Sequence, residues 1–513
     1  MSTVPEPSIS AAGGGWEPVI GLEIHVQLKT RTKMFCGCEL SFGDPPNVHT
    51  CPVCLGLPGA LPVLNGRAVE FGVMIGLALG SKIAQRSLFH RKNYFYPDSP
   101  KGYQISQYDV PLCTGGRLEG VRIHRVHLEE DAAKLVHVGG SGRIHGSDRS
   151  VVDFNRCGTP LVEIVTEPDL HTPEQTREWL TLLRTTLRQL GVSDVNMEEG
   201  SLRADANVSV RRPGSAELGT KTELKNMNSF RFLERGVRAE IERQVELLES
   251  GAQVVQETLH FDPTTRSASG AGRHPSGAAP AGGAPSRLTA LRSKEEAHDY
   301  RYFPEPDLVA LLATEEMLSA AAARLPELPA ARAQRLQREF GLGPDRAREL
   351  AFRRELADYF EGAVAAASDS GRETTVAIAN WIPQLVERIG SDADPARSHV
   401  RPEALAALAA MVAAKEVSRD AARDVLTRLV ASGGDPRTIV EHEGLGALSS
   451  GDGDRLQAIV DRALAADPDA AAKVWAGNKK AIGPLVGYVM RETKGRADGS
   501  EVTRLILERV ATG

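Results

Sequence analysis

Cys36-Gly-Cys38, twelve intervening residues and then Cys51-Pro-Val-Cys54 put four thiols in two close pairs. Two such pairs are what a closed tetrahedral zinc site requires, and four thiolates leave no coordination position open, so such a zinc would be structural. Four unliganded buried thiols are the plainer alternative. Cys51 and Cys54 alone would also suit a redox pair, but the second pair beside them favours zinc. Cys113 and Cys157 stand alone, a distribution that suits a metal clip in a reducing compartment better than a disulfide framework.

A second set of residues suits harder chemistry. Ile20 to Leu28 alternates strictly, so Glu23, His25 and Gln27 share one strand face and the apolar residues share the other. Ser201 to Val210 puts Arg203, Asp205 and Asn207 on one face, directly after Glu198-Glu199-Gly200. Val121 to Asp131 changes phase at Arg125, as at a bulge, and ends in the carboxylates Glu129, Glu130 and Asp131. Any one of these reads as a solvated strand face. Three together, rich in Glu, Asp and His, suit a divalent ion such as Mg²⁺, because clustered carboxylates repel unless a cation sits between them. Spacing alone does not fix whether the strands converge. Two further segments, Arg91 to Asp98 with Lys101 to Gln107, and Tyr300 to Asp307, interleave basic and aromatic residues; they suit packing as well as nucleic-acid contact.

These residues need a scaffold, and 513 residues are enough for about two to four domains. Short strand signals with a few helices run from Trp16 to about Pro263, the pattern of an α+β domain with a mainly antiparallel sheet. One helix begins at N-cap Thr172 with Pro173 in its first turn, carries Leu180, Leu183, Leu187 and Leu190 on one face and stops at Gly191. Another runs from about Phe230 to Leu248. Residues 262–290, rich in Gly, Ala, Ser and Pro, read as a disordered loop, as do residues 1–15. Past Tyr300 the chain is helical and Ala-rich, with expected boundaries near residues 300 and 400.

Composition excludes several roles. The N-terminus lacks the features of a secretory signal, and the longest apolar stretch, Ala404 to Ala414, falls short of the roughly 18 residues of a membrane span. A cytoplasmic protein is expected. A net charge of −6 is unlike a protein that coats nucleic acid, so any nucleic-acid contact would come from local patches and DNA binding is not expected. GxxxxGK[ST], GxGxxG and GxSxG are all absent, which excludes a P-loop, a Rossmann fingerprint and a serine nucleophile elbow.

Val19-Ile-Gly-Leu-Glu-Ile-His-Val-Gln-Leu28, Arg91-Lys-Asn-Tyr-Phe-Tyr-Pro-Asp98, Tyr103-Gln-Ile-Ser-Gln107, His127-Leu-Glu-Glu-Asp-Ala132 and Gly158-Thr-Pro-Leu-Val-Glu-Ile-Val165 resemble the B subunits of aspartyl/glutamyl-tRNA amidotransferases. Asp194 to Asn207, Glu223 to Ser229 and Tyr300 to Asp307 extend the resemblance, which runs from about residue 17 to the C-terminus. It implies a cradle domain (residues 16–300), an all-α helical domain (301–400) and a small YqeY-like helical tail (401–513), the last resting on Trp475 to Met490 and Lys494-Gly-Arg496. The tract Ser267 to Pro285 is longer than the usual family loop, and some members lack the four cysteines.

The resemblance also implies a ligase that uses ATP to form an acyl phosphate on misacylated Glu-tRNA or Asp-tRNA, then an amide with ammonia. It places the ATP and Mg²⁺ site at Glu23, His25, Glu129, Glu130, Glu199 and Asp205, with Arg203 a candidate phosphate contact. Lys92 and Lys101 match lysines along the family's ammonia path, where a pair with Glu130 would open and close; a structural ion pair is the alternative for each. An amidase-type A subunit would supply ammonia and a small C subunit would stabilise the pair. Lys479, Lys480, Lys494 and Arg496, in a locally basic segment, are the expected tRNA contacts. A noncatalytic tRNA-binding and assembly subunit, with solvated strand faces, is the competing reading.

Overall fold

The structure is a computed structural model. It describes residues 15–138, 147–225, 227, 229–261, 288–293, 300–367, 371–390, 393–446, 453–476, 478–493, 496–497 and 499–512. The loop expected over 262–290 and the disordered N-terminus expected over 1–15 fall almost wholly outside those residues. The chain divides into two compact units, Met1–Leu328 and Pro329–Gly513.

A ten-stranded sheet forms the first unit. Its four central strands are β1 (Glu17–Gln27), β2 (Val121–Glu130), β3 (Pro160–Thr166) and β4 (Leu202–Arg211), adjacent in the order β4-β1-β3-β2 and all antiparallel. Beyond β4 lie Thr222–Lys225, Glu257–Phe261 and Leu288–Ser293, the first two of these pairing in parallel. Residues 288–290, expected in the loop, thus belong to a strand. The phase change at Arg125 is a bulge: Val165 opposes Arg125 and Thr166 opposes Ile123, so His124 is extra.

One face of the sheet is apolar. Ile20, Leu22, Ile24, Val26, Leu128 and Val208 are fully buried or nearly so, and the helices Gly66–Ala78 and Phe230–Glu249 pack against β2 and β4. Helix Pro173–Leu190 packs on both helices. It starts as its sequence dictates, with the Thr172 side chain accepting from the Gln175 amide, and ends at Gly191 in the left-handed conformation at φ 70°. The alternate residues of the strands face the other way and form the site below.

Residues just past 300 still belong to this first unit. Phe303–Pro304 pairs with His90–Asn93, and Leu311–Leu312 with Arg86–Ser87, so Tyr300 to Asp307 is a strand-forming segment rather than the start of a helical domain.

The second unit is helical among its described residues and has two apolar cores. One gathers residues from Ala333 to Val440, the other from Leu456 to Ile506. The boundary expected near residue 400 runs through the first core, where Ile382 and Leu385 pack with Leu405, Leu408 and Leu426. The Gly390 to Pro402 break in helical pattern marks a turn between packed helices, which sequence alone does not distinguish from a linker. No helix of the described residues is long and apolar enough to cross a membrane.

Candidate active site and metal centres

The polar faces of β1, β2 and β4 converge, and β3 joins them. Strand register puts His25 opposite Arg203 on one side and Glu163 on the other, with His127 beyond Glu163; the next row brings Glu23 opposite Asp205. His25 Nε2 lies 3.4 Å from Glu163, 3.7 Å from Glu129 and 3.8 Å from Glu23. His127 Nε2 lies 3.5 Å from Glu163 and 3.8 Å from Glu129. Two sets of side chains thus hold ligand atoms within 4.8 Å of one another, Glu23–His25–Glu163 and His127–Glu129–Glu163, and share Glu163.

The electrostatics follow from this crowding. Burial pushes His25 down, but the bond to Glu163 and the charges of Glu129, Glu163 and Glu23 outweigh it and raise the imidazole to about 9. Burial pushes Glu163 up, yet His127, His25 and Arg125 hold it well below the usual carboxylate range. Burial and the Glu163 charge raise Glu23. The crowded carboxylates favour positive charge at this point, which an imidazolium or a divalent cation would supply.

A cavity of about 590 Å³ opens onto this face, lined by His25, Glu129, Asp131, Arg203, Asp205 and Lys225, and also by Lys92 and Tyr300. Asp131 is buried and takes hydrogen bonds from Gln27 at 2.8 Å and from Arg203 at 3.0 Å. Arg203 Nε is buried with no hydrogen-bond partner among the described residues. Lys225 bridges Asp205 at 3.2 Å and Glu223 at 2.9 Å. Lys92 lies over the Tyr300 ring at 4.9 Å, and the charge of Glu129 keeps its ammonium raised despite burial.

Glu130 stands apart. Period two places Glu129 and Glu130 on opposite faces of β2, so Glu130 belongs to neither metal-suited group and does not line the cavity. Its carboxylate instead pairs with Lys101 and accepts from the Ile105 amide at 2.9 Å. Glu199 is exposed in the turn before β4 and belongs to neither group. Asp205 lines the cavity, but its partner is Lys225. Of the six residues expected at the ATP and Mg²⁺ site, Glu23, His25 and Glu129 sit in a metal-suited group, and His127 and Glu163 complete the donor set.

Cys36, Cys38, Cys51 and Cys54 form the third such group, their sulfurs within 4.8 Å. The Cys51 and Cys54 sulfurs are 3.9 Å apart, against about 3.8 Å for the edge of a zinc–thiolate tetrahedron with bonds of about 2.3 Å. A hydrogen bond from Cys36 lowers Cys54 to about 4, while the Cys36 thiol is itself raised by that bond. Four soft donors at this spacing fit zinc.

The family model described as the GatB/GatE catalytic domain matches residues 18–319, and a second, described as a GatB domain, matches residues 358–510. The B subunit of the aspartyl/glutamyl-tRNA(Asn/Gln) amidotransferase of Frankia casuarinae is 49% identical over 99% of both chains. Proteins of the same name from Carboxydothermus hydrogenoformans and Thermobifida fusca are 44% and 47% identical, over 97% of this chain and 99% and 94% of theirs. This chain belongs to the B-subunit family of these amidotransferases.

Within this B-subunit chain, Glu163, His127 and Lys225 were not among the expected site residues, and Asp131 was noted only as one of three consecutive carboxylates. The signal for Glu163 was present: it is the one charge in the otherwise apolar run Pro160 to Val165, and a carboxylate there must face a partner. In the tail, Arg496 donates to the Gly444 carbonyl at 3.3 Å. Lys479 and Lys480 begin a short 3₁₀ turn, Lys479–Ile482, with side chains outside the described residues, as is Lys494 entirely.

Proposed function

We propose that this chain is the subunit that amidates misacylated Glu-tRNA(Gln), Asp-tRNA(Asn) or both, using ATP and ammonia made by an amidase-type A partner, with a small C subunit completing a cytoplasmic heterotrimer. One observation carries the catalytic reading over a noncatalytic assembly role: polar residues of β1, β2 and β4, His25, Glu129, Arg203 and Asp205, line one cavity, with Glu163 of β3 against His25. A merely solvated face has no reason to bury Glu129, Asp131 and Glu163 together.

The chemistry asks for charge control. An ionised side-chain carboxylate repels nucleophiles and offers a poor leaving group, and phosphorylation by ATP removes both obstacles. Phosphoryl transfer needs positioning and neutralisation more than covalent help. Glu23, His25, His127, Glu129 and Glu163 would hold Mg²⁺, which when bound neutralises phosphate charge. Arg203, anchored on Asp131 with Nε free of hydrogen-bond partners among the described residues, is placed to donate to a phosphate oxygen. Lys225 and Lys92 add positive charge along the cavity wall, and the Lys101–Glu130 pair on the opposite strand face suits control of ammonia entry rather than phosphoryl transfer. Cys36, Cys38, Cys51 and Cys54 would hold a structural zinc. The tail segment with Lys479, Lys480, Lys494 and Arg496 would contact tRNA phosphates.

The test is amide formation on each misacylated tRNA by the reconstituted trimer, with the chain alone as control. Activity of the trimer on either tRNA, and none from the chain alone with glutamine, is expected. Full activity in a trimer whose Glu163 and Glu129 are both changed to Gln would return this chain to an assembly role.

A further inference from the structure

Lys33 is fully buried, and it is among the largest side chains in the molecule to be so. Among the described residues its ammonium has three hydrogen-bond partners: the His49 carbonyl at 2.8 Å, the Phe154 carbonyl at 3.1 Å and the Cys54 sulfur at 3.6 Å. No carboxylate is among them. A buried ammonium without a counter-charge is strongly disfavoured, so the negative charge has to come from the thiolates. Four thiolates around one Zn²⁺ carry two net negative charges, and an N–H···S bond from a cation removes half of that excess.

Lys33 also lies where the clip meets the rest of the domain. Its backbone amide donates to the Cys38 carbonyl at 3.0 Å, and the next amide, of Met34, donates to the Gly158 carbonyl at 2.7 Å. Gly158 stands at this crossing at φ +84°, a conformation that favours glycine, and its Cβ position lies in ordinary contact range of Lys33 Cδ (3.5 Å), Cys54 Cβ (3.7 Å) and Glu130 Oε2 (3.8 Å). On the other side of the clip, a Cβ on Gly56 would meet Lys101 Cγ at 2.5 Å. Cysteine clip, Lys33 and the Lys101–Glu130 pair are therefore packed in one continuous chain of neighbours.

We propose that Lys33 is the dedicated counter-ion of the four-thiolate centre and that, through the Lys33–Gly158 crossing, the loaded centre holds the Lys101–Glu130 pair in place. This rests on the reading of the four cysteines as a metal site. Lys33 is a positioning residue: it touches neither the cavity nor a reacting group.

The experiment loads the assembled trimer with Zn²⁺ or Co²⁺ and compares wild type with Lys33→Met. Loss of an outer-shell partner costs about 10–100-fold in metal affinity, so faster transfer of metal to a chromophoric chelator is expected, with a shifted thiolate-to-cobalt charge-transfer band. Hydrogen exchange at the Ile105 amide, which Glu130 accepts, should rise both in Lys33→Met and in chelated wild type. Wild-type metal affinity in Lys33→Met, or unchanged Ile105 exchange after metal removal, overturns the proposal. A wild-type protein that takes up neither metal sinks the metal reading itself, a separate result. If Lys33→Met does not fold, a crystal structure of metal-loaded wild type decides: an ammonium turned away from Cys54 refutes the counter-ion.

Discussion

The carboxylate–imidazole cluster on the sheet and the four-cysteine clip are both metal-suited, yet they are built on opposite principles. The cluster takes its donors from β1, β2 and β3, strands far apart in sequence, and opens onto a cavity of about 590 Å³. The clip takes all four donors from nineteen residues, 36–54, and with four sulfurs it has no place for a substrate. Hard donors facing space suit reaction and soft donors in a closed set suit architecture. The geometry of the cluster depends on long-range register, and that of the clip on local spacing.

The strongest way to break that contrast is at Glu163, the residue both cluster groups share. Glu163→Gln should cut tRNA-dependent ATP hydrolysis and amide formation by more than about 100-fold, beyond the 10–100-fold of an outer-shell loss, while zinc content stays at the wild-type level. Wild-type turnover would mean that the cluster is not the phosphoryl-transfer site. The reciprocal change, Cys51→Ser, should lower unfolding stability by about 2 kcal/mol or more and release metal, with kcat at low temperature much less affected. Equal losses of stability and kcat would erase the distinction between the two centres.

Glu130 sharpens the comparison because it adjoins both. It is next to Glu129 in sequence but on the opposite strand face, beside the clip. Glu130→Gln should leave tRNA-dependent ATP hydrolysis within about threefold of wild type and lower glutamine-dependent amide formation by about tenfold, since Lys101 loses its partner and the ammonia route rather than the phosphates is disturbed. Loss of ATP hydrolysis would put Glu130 back among the metal ligands.

What was legible in the sequence follows the same division. The clip was readable outright, because its donors are close in the chain. Strict alternation gave the polar faces of β1 and β4, and the bulge at Arg125 was visible as a phase change. Convergence was not readable, because it depends on strand order, and β3 sits between β1 and β2 although 132 residues of chain separate Gln27 from Pro160. Alternation, carried one step further, separates Glu129 from Glu130; treating three consecutive carboxylates as one group ignored it. The boundary near residue 400 failed for a different reason: a Gly- and Pro-rich turn between packed helices looks like a linker until the shared core is seen.

That core also decides how the tail is best tested, where the smallest effect is expected. Between Lys473 and Arg496 the basic residues Lys473, Lys479, Lys480, Arg491, Lys494 and Arg496 face a single acid, Glu492, in a chain of net charge −6. Binding to phosphates adds affinity and salt dependence but no chemistry. A deletion from about residue 408 would remove Leu408, Met411, Leu426 and Leu429 from the core that also holds Ile382 and Leu385, and its effects would mix folding with binding. Ending the chain at residue 446 instead removes the second core, Leu456 to Ile506, as a whole and leaves the first intact. KM for tRNA should then rise about 3–10-fold with kcat within about twofold, and the slope of log affinity against log salt should fall by about 0.7–0.9 for each phosphate that the tail no longer neutralises. Unchanged affinity with an unchanged salt slope would leave the basic segment as solvated surface and restrict tRNA binding to the rest of the chain.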